Sequence, residues 1–379
     1  MKIEDLRTEI DKIDDEMAEL FEKRMDIAGK VAETKKKTGK TVQDRRREND
    51  IISRLMKNTD DEYKYYIKTF CSTLFNLSRS YQNSLITDNH ELSQLINKTV
   101  EDTDKLFPDS AIVACQGMDG AYSQIAAEKL FKVPNVTFFK SFDAVFHAVE
   151  KGLCKYGVLP IENSDNGSVT QVYDLMKQRN FYIVRSISLK IDHFLLAKPG
   201  TKEGDIKTIY SHEQAIGQCS KYIESLKDVD VKVCENTAVA AKLVSESDDK
   251  NVAAISSHDC AELYGLSVIN EDIQNTDNNY TRFICISKNL EVYPGSDKIS
   301  IMLTVPHKPG SLFELMGMFA ASGLNLTKLE SRPISGRDFE FMFYFDFEAS
   351  VYADDVLSLL DGLNQNLDQF KFLGSYIEK

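Results

Sequence analysis

Residues 110–123 read Ser-Ala-Ile-Val-Ala-Cys-Gln-Gly-Met-Asp-Gly-Ala-Tyr-Ser, and here the character of the chain changes. A short β-rich apolar run ends at two glycines, and a helical pattern follows. Similar runs recur at 136–139, 156–161, 181–189, 208–210, 231–234, 252–255 and 282–286, alternating with helical spacing. The alternation predicts an α/β domain over residues 110–287. Its length, and polar motifs at both ends, predict two lobes.

Upstream, residues 1–107 hold no Pro and only Gly29 and Gly39, whereas the chain has 8 Pro and 18 Gly. Long helices have that composition. Ile3, Leu6, Ile10, Ile13, Met17 and Leu20 step by threes and fours, an apolar seam on a first helix. A second helix is predicted near 42–57 and a third from about 62 into the nineties. Residues 99–108 and 292–298 read as linkers. Residues 299–379 read strand, helix, strand, strand, helix, strand. This βαββαβ order is ferredoxin-like, with Ser335-Gly336 turning the central hairpin.

With 42% hydrophobic and 28% charged residues, the 379-residue chain has an ordinary soluble composition. A net charge of −13 argues against nucleic acid and anionic membranes as partners. Cations that bind an anionic ligand must then be local. Seven cysteines scattered singly, without C-x-x-C, read as reduced thiols of a cytoplasmic protein. The charged start MKIEDLRTEI is unlike a signal peptide, and no apolar run reaches a membrane span. The six His are dispersed and H-E-x-x-H is absent, so no metal is expected; G-x-G-x-x-G is absent as well, and no cofactor is expected.

Continued past Leu20, the seam carries Arg24 and Lys35. Each alone could snorkel to solvent. Asp44, Arg47 and Glu48 lie at i, i+3, i+4, which also suits surface ion pairing. Ser78 and Gln82 continue the apolar face of the third helix. Together with Arg7, these residues could line a pocket for an anion. Leu6–Asp14 (L-R-x-x-I-D-x-I-D), the Arg24/Lys35 spacing and Asp44–Glu48 (D-R-R-R-E) resemble the all-helical chorismate mutase family over about residues 1–90. The resemblance implies three helices in an intertwined dimer. It implies carboxylate clamping by Arg7, Arg24 and Arg47, and donation to the ether oxygen by Lys35 and Gln82. Glu48 would accept the substrate hydroxyl, and Asp44 and Ser78 would orient neighbours or touch substrate. A pericyclic step needs no nucleophile, only one held conformer and stabilised charge.

Four motifs mark the α/β part. Gly117-x-x-Gly120-Ala121-Tyr122-Ser123 suits a tight turn or backbone N–H groups offered to an anion. Pro160–Ser164 (P-I-E-N-S) ends a strand where α/β sites lie. Ser211-His212-x-Gln214-x-x-x-Gln218 opens a helix, and Asn279-Tyr280-Thr281-Arg282-Phe283 enters the last strand. With Gly167-Ser168-Val169, His193–Leu196 and Thr237-Ala238, the set resembles prephenate dehydratase over about 110–287. Met118-Asp119 departs from the Pro that often follows the first Gly in that family. The resemblance implies Thr281 as the acid that protonates the leaving hydroxyl. Substrate contacts would come from Tyr122, Ser123, Glu162, Asn163, Ser164, Ser211, Gln218, Arg282 and Phe283. Glu162 is a candidate to orient Thr281, and Arg282 to offset carboxylate charge.

Gly310-Ser311-Leu312, Asn325-Leu326 and Glu330-Ser331-Arg332-Pro333, within the βαββαβ order, resemble the ACT regulatory domain of prephenate dehydratases. That domain binds phenylalanine between subunits. Ser311 stands where the family often has Ala. The combined expectation is a multidomain enzyme: an all-α mutase (1–98), an α/β two-lobed dehydratase (110–287) and an α+β ACT domain (299–379). It would take chorismate through prephenate to phenylpyruvate, bind phenylalanine, and form a homodimer or homotetramer. A non-catalytic ligand-binding sensor on the same domains is the alternative; intact Thr281, Arg24, Lys35 and Glu48 disfavour it. A mutase–dehydrogenase fusion lacks its nucleotide loop here.

Overall fold

The computed structural model describes residues 2–39, 42, 44–86, 90–334 and 340–379, and their side chains except those of 83 and 84. The Ser335-Gly336 turn lies outside the described residues. The chain divides into two compact units, Met1–Lys98 with Leu303–Leu329 and Pro333–Lys371, and Thr99–Met302 with Glu330–Arg332 and Phe372–Lys379. These units cut across the three segments read from composition, because compactness follows packing between distant segments.

The first unit opens on α1 (Ile3–Thr38), α2 (Arg45–Lys57), α3 (Lys64–Ile86) and α4 (Glu91–Asp102). Glu4 and Asp5 in the first turn of α1, and Lys35 to Lys37 in its last, complement the helix dipole. Gly39, left-handed at φ +64°, ends it. Asp44 accepts the Arg47 N–H at 3.0 Å and caps α2. Ala28, Ala32, Cys71 and Phe75 are buried, and α1 and α2 both pack on α3. The seam Ile3–Leu20 is not covered, its six residues being 41–64% exposed.

The third helix predicted from the sequence is two helices. Asp361, 2% exposed, accepts the Ser93 N–H at 3.0 Å and meets His90 Nδ1 at 3.1 Å. A carboxylate from far along the chain thus satisfies the start of α4. Since α4 runs to Asp102, the first predicted linker is partly helical.

The second unit begins with β1 (Ser110–Gln116), α5 (Tyr122–Leu130), β2 (Val133–Phe139), α6 (Phe142–Glu150), β3 (Tyr156–Asn163), β4 (Gly167–Ser168), α7 (Thr170–Gln178) and β5 (Tyr182–Lys190). It continues with β6 (Phe194–Ala197), β7 (Thr208–His212), α8 (Glu213–Gln218), α9 (Ser220–Ser225), β8 (Asp230–Cys234), α10 (Thr237–Glu246), β9 (Val252–Ser256), α11 (His258–Tyr264), β10 (Ser267–Asn270) and β11 (Tyr280–Ser287). One sheet has the order β2-β1-β3-β11-β5 with β4 beside β3; the other runs β10-β6-β9-β7-β8. These are the two lobes. Two crossovers join them, at 191–193 after β5 and 271–279 before β11. The first core gathers Val113, Phe131, Tyr156, Val158, Phe283 and Cys285. In the second, Ala238, Ala241, Val244 and Ala254 lie in one cluster and Leu195, Ile209, Ala253 and Ile255 in another.

The C-terminal segment follows as β12 (Lys298–Thr304), α12 (Ser311–Ala321), β13 (Asn325–Pro333), β14 (Phe341–Glu348), α13 (Asp354–Asn366) and β15 (Phe370–Tyr376). Its sheet order is β13-β14-β12-β15, with β13 at an edge. All seven cysteines are free, and six are buried. Among the described residues no helix is long and apolar enough to cross a membrane.

Candidate active sites

The lobes of the second unit enclose a cleft of about 490 Å³. Its walls come from the C-terminal ends of β1, β3 and β7 and the helix starts that follow, the usual place for an α/β site. Of the residues expected from the sequence, Tyr122, Ser123, Asn163, Gln218, Thr281 and Phe283 line it.

Asn163 and Thr281 are registered opposite each other on the antiparallel pair β3–β11. Thr281 pairs with Asn163 and Arg282 with Glu162, but Phe283 pairs with Pro160, so Ile161 is an extra residue in β3. Side chains three apart on a regular strand face opposite ways. The bulge at Ile161 restores parity, so that Pro160 and Asn163 both reach the cleft.

The Asn163 amide has a forced orientation. Its Oδ1 accepts the N–H groups of Asp165 at 3.1 Å and Asn166 at 2.9 Å. Its Nδ2 must then donate, and it does so to Thr281 Oγ1 at 2.9 Å and to Asn279 Oδ1 at 2.7 Å. The Thr281 oxygen therefore accepts from Asn163, and its own proton is free for another acceptor. Asn163 is thus hydrogen-bonded directly to the Thr281 hydroxyl, the place the sequence reading offered to Glu162. Glu162 instead pairs with Arg282 at 2.6 Å.

Four expected residues lie off the cleft wall. Arg282 is 6% exposed, held between Glu162 and, at 3.8 Å, Glu378. Burial pushes the Glu378 carboxyl up, but Lys298, Arg282 and Ser188 together hold it below its ordinary range. Ser211 is fully buried, its hydroxyl donated to the Ile255 carbonyl at 2.7 Å. Ser164 donates to the Asn278 carbonyl at 2.8 Å and receives the Tyr280 N–H at 3.0 Å, closing the turn after β3. In a sequence these residues are inseparable from their cleft-lining neighbours. Strand parity and hydroxyl partners tell them apart.

The cleft also holds Gln116, Asn166, Ser168, Gln171, His193, His212, Gln214, Glu235 and Asn236. His193 and His212 stood inside quoted motifs; Glu235 and Asn236 had only their place before Thr237. Among the described lining residues there is no Lys or Arg, contrary to the expectation of placed cations. The first turns of α5, α7, α8 and α10 open onto the cleft instead. Each helix start carries a partial positive charge of roughly half a unit from unpaired N–H groups. Gly117 and Gly120 shape the first of these turns at φ +113° and +87°. A side chain at Gly120 would meet Cys260 Sγ at 2.7 Å. Both histidines are pushed toward the neutral form, chiefly by burial.

The first unit holds the expected cations. The Arg24 guanidinium lies 5.8 Å from the Phe75 ring centre, and its Nη1 is buried with no hydrogen-bond partner among the described residues. Burial works against its charge and lowers its proton affinity. Lys35 donates to the Val42 carbonyl at 2.5 Å. Gln82 donates to Ser78 Oγ at 3.2 Å and leaves its Oε1 buried and unpartnered. Glu48 is paired with Arg79 at 2.5 Å, a partner not singled out in the sequence. Arg7, Asp44 and Arg47 are exposed. Arg7 and Arg24 share one continuous helix, so 17 residues place them roughly 25 Å apart.

The chain thus carries two candidate sites of different construction, a cleft between two lobes and a helical face that holds cations, the layout of a fused two-site protein. A family model of chorismate mutase type II matches residues 6–83, and one of prephenate dehydratase matches residues 113–291. Over 379 residues the chain is 31% identical to the bifunctional chorismate mutase/prephenate dehydratase of Escherichia coli K12, covering 98% of this chain and 95% of that protein. Prephenate dehydratase from Arthrobacter aurescens, solved with L-Phe, superposes with a TM-score of 0.65 at 30% identity, over 70% of this chain and 89% of that one. A structure described as GqqA, a novel type of quorum quenching acylase, gives 0.65 at 30% identity, over 71% and 98%.

The chain belongs to the family of bifunctional chorismate mutase/prephenate dehydratases. It rearranges chorismate to prephenate, then dehydrates and decarboxylates prephenate to phenylpyruvate in phenylalanine biosynthesis.

Proposed function

We propose that Thr281 is the dehydratase acid. The observation that carries this is the Asn163 amide, which donates to Thr281 Oγ1 and leaves the threonine proton available to the cleft. Prephenate releases carbon dioxide as its ring becomes aromatic, and the electron pair left behind expels the hydroxyl. One proton must reach that hydroxyl for water to leave. Thr281 supplies it and recovers one from solvent, while the Asn163 N–H supports the charge that builds on Oγ1. Gln218, Tyr122, Ser123 and the helix starts hold the dianion, and Phe283 packs against its ring. Arg282, Glu162, Ser164 and Ser211 hold the strand ends that present these groups.

The mutase site is built from two chains. A substrate of chorismate's size cannot span the distance from Arg7 to Arg24, and the exposed seam between them needs a cover. A second copy of α1, antiparallel, supplies both the cover and Arg7. Arg24, Arg47 and Lys35 of one chain, with Gln82, Ser78, Asp44 and Glu48, complete the site.

Residues 299–379, the third segment after the mutase (1–98) and the dehydratase (110–287), act as an ACT domain that takes phenylalanine at Gly310–Leu312, Asn325-Leu326 and Glu330–Arg332. What supports a link to catalysis lies on β13. Glu330 accepts the Ser168 hydroxyl at 2.6 Å, and Ser168 lines the dehydratase cleft. Arg332 grips Asp174 through Nε at 3.2 Å and Nη2 at 2.9 Å. A ligand that draws on Glu330 or Arg332 therefore competes with contacts that hold the cleft wall. The reading places the chain in the cytoplasm as a homodimer or homotetramer.

The test is a coupled assay on chorismate and on prephenate, with and without phenylalanine. Phenylpyruvate should form from both, and phenylalanine should suppress it. Phenylalanine without effect on either step would remove the regulatory reading. Point variants of Glu330 and Arg332 are cleaner than deleting 299–379, because α12 and α13 pack on α3.

A further inference from the structure

We propose that His193 is a positioning residue of the dehydratase, a neutral imidazole that sets which way the Gln218 amide faces. The proposal rests on the reading above that Gln218 touches substrate. His193 lies on the crossover from β5 to β6, is 2% exposed and lines the cleft. Its Nε2 is 2.8 Å from Gln218 Oε1. Its Nδ1 is buried with no hydrogen-bond partner among the described residues.

Those two facts assign the proton. If Nδ1 carried it, a buried N–H would be orphaned, which is costlier than an unused lone pair. The proton therefore sits on Nε2 and is donated to Gln218 Oε1. An amide has one acceptor end and one donor end. With Oε1 held by His193, the Gln218 NH₂ group is left to donate, the polarity that a carboxylate substrate needs. In a cleft whose described lining residues include no Lys or Arg, an amide facing the wrong way would present an oxygen to an anion.

The backbone keeps the pair in register. The His193 N–H donates to Gln274 Oε1 at 3.0 Å, and the Asn275 N–H donates to the Gln218 carbonyl at 2.6 Å. Gln274 and Asn275 belong to the second crossover, so both connections between the lobes grip this pair.

The test uses the full chain, with mutase turnover as an internal check of folding. His193→Phe removes the donor and should raise the dehydratase KM for prephenate about tenfold, with kcat changed less than threefold. His193→Gln retains an N–H donor and should recover most of that loss. Gln218→Leu should raise KM by at least as much, and His193→Phe added to Gln218→Leu should cost nothing further. If Gln218→Leu behaves as the parent, the underlying reading of Gln218 fails. If Gln218→Leu is impaired but His193→Phe is not, or if the two losses multiply in the double variant, the positioning role of His193 is overturned. Should His193→Phe lose mutase turnover as well, the pair His193→Gln and His193→Leu decides the matter by the same KM comparison.

Discussion

The mutase helices and the dehydratase cleft handle successive anions of one pathway by opposite means. On the helices, Arg24 and Lys35 sit on an apolar seam, with one Arg24 nitrogen buried and unanswered. In the cleft, no cation lines the wall among the described residues; amides, hydroxyls and helix starts line it instead. A cleft closed by two lobes of one chain can aim many weak dipoles at once. A short helical bundle has few backbone N–H groups to offer, because its ladders use them, so formal charges must serve. The residues that line the cleft all belong to one unit, whereas the two arginines proposed for the helical site lie far apart on one helix.

The hardest test of this contrast is Thr281→Ala. Dehydratase kcat should fall by about 10²–10⁴, the usual worth of a general acid, with mutase turnover within about twofold of the parent. Phenylpyruvate formation and chorismate consumption, followed separately, measure the two. Dehydratase turnover within threefold of the parent would rule out Thr281 as the acid.

Next in size are Arg7→Ala and Arg24→Ala, each expected to lower mutase kcat/KM by about 10²–10³ while sparing the dehydratase. Mixed under conditions of subunit exchange, the two variants should regain as much as half of the parent activity. A mixed dimer has one site with both lesions and one with neither. Confirmed exchange without recovery would place both arginines in one chain's site.

Ionic strength sharpens the comparison more gently. Raising salt from about 0.05 to 0.5 M shortens the screening length well below 10 Å. The mutase KM for chorismate should rise several-fold, and the dehydratase KM for prephenate less than twofold. Equal salt responses would mean that cations outside the cleft wall bind prephenate.

The smallest expected effect concerns β13. Hydrogen bonding to Arg332 outweighs partial burial and holds the Asp174 carboxyl below its ordinary range. A depressed carboxylate stabilises the fold above its unfolded pKa, and that contribution is lost as pH falls through the folded value. Asp174 is 41% exposed, so the contribution is modest. Asp174→Asn should lower Tm by a degree or two at pH 7, with the gap closing below about pH 4. Its phenylalanine inhibition constant should shift about two- to fivefold. A Tm gap that widens in acid would contradict the pairing.

Much of this protein was legible from its residues. Periodicity and the Gly/Pro census separated the helical region from the α/β region, because hydrophobic spacing and backbone permissiveness are local properties. The motifs fall at strand ends that line the cleft, and the apolar seam with its arginines lies on α1. Three things needed the tertiary structure. The third helix is broken where Asp361 caps α4, a partner about 270 residues away in sequence. Within P-I-E-N-S and N-Y-T-R-F, the bulge at Ile161 decides which side chains enter the cleft, so Asn163 and Thr281 line it while Glu162 and Arg282 pair outside it. The sequence also anticipated placed cations for an anionic ligand, and among the described residues the cleft wall carries helix starts instead. Spacing along a chain reports which residues share a face. It does not report which groups already have a partner, because a hydrogen bond is decided by distance and direction in space.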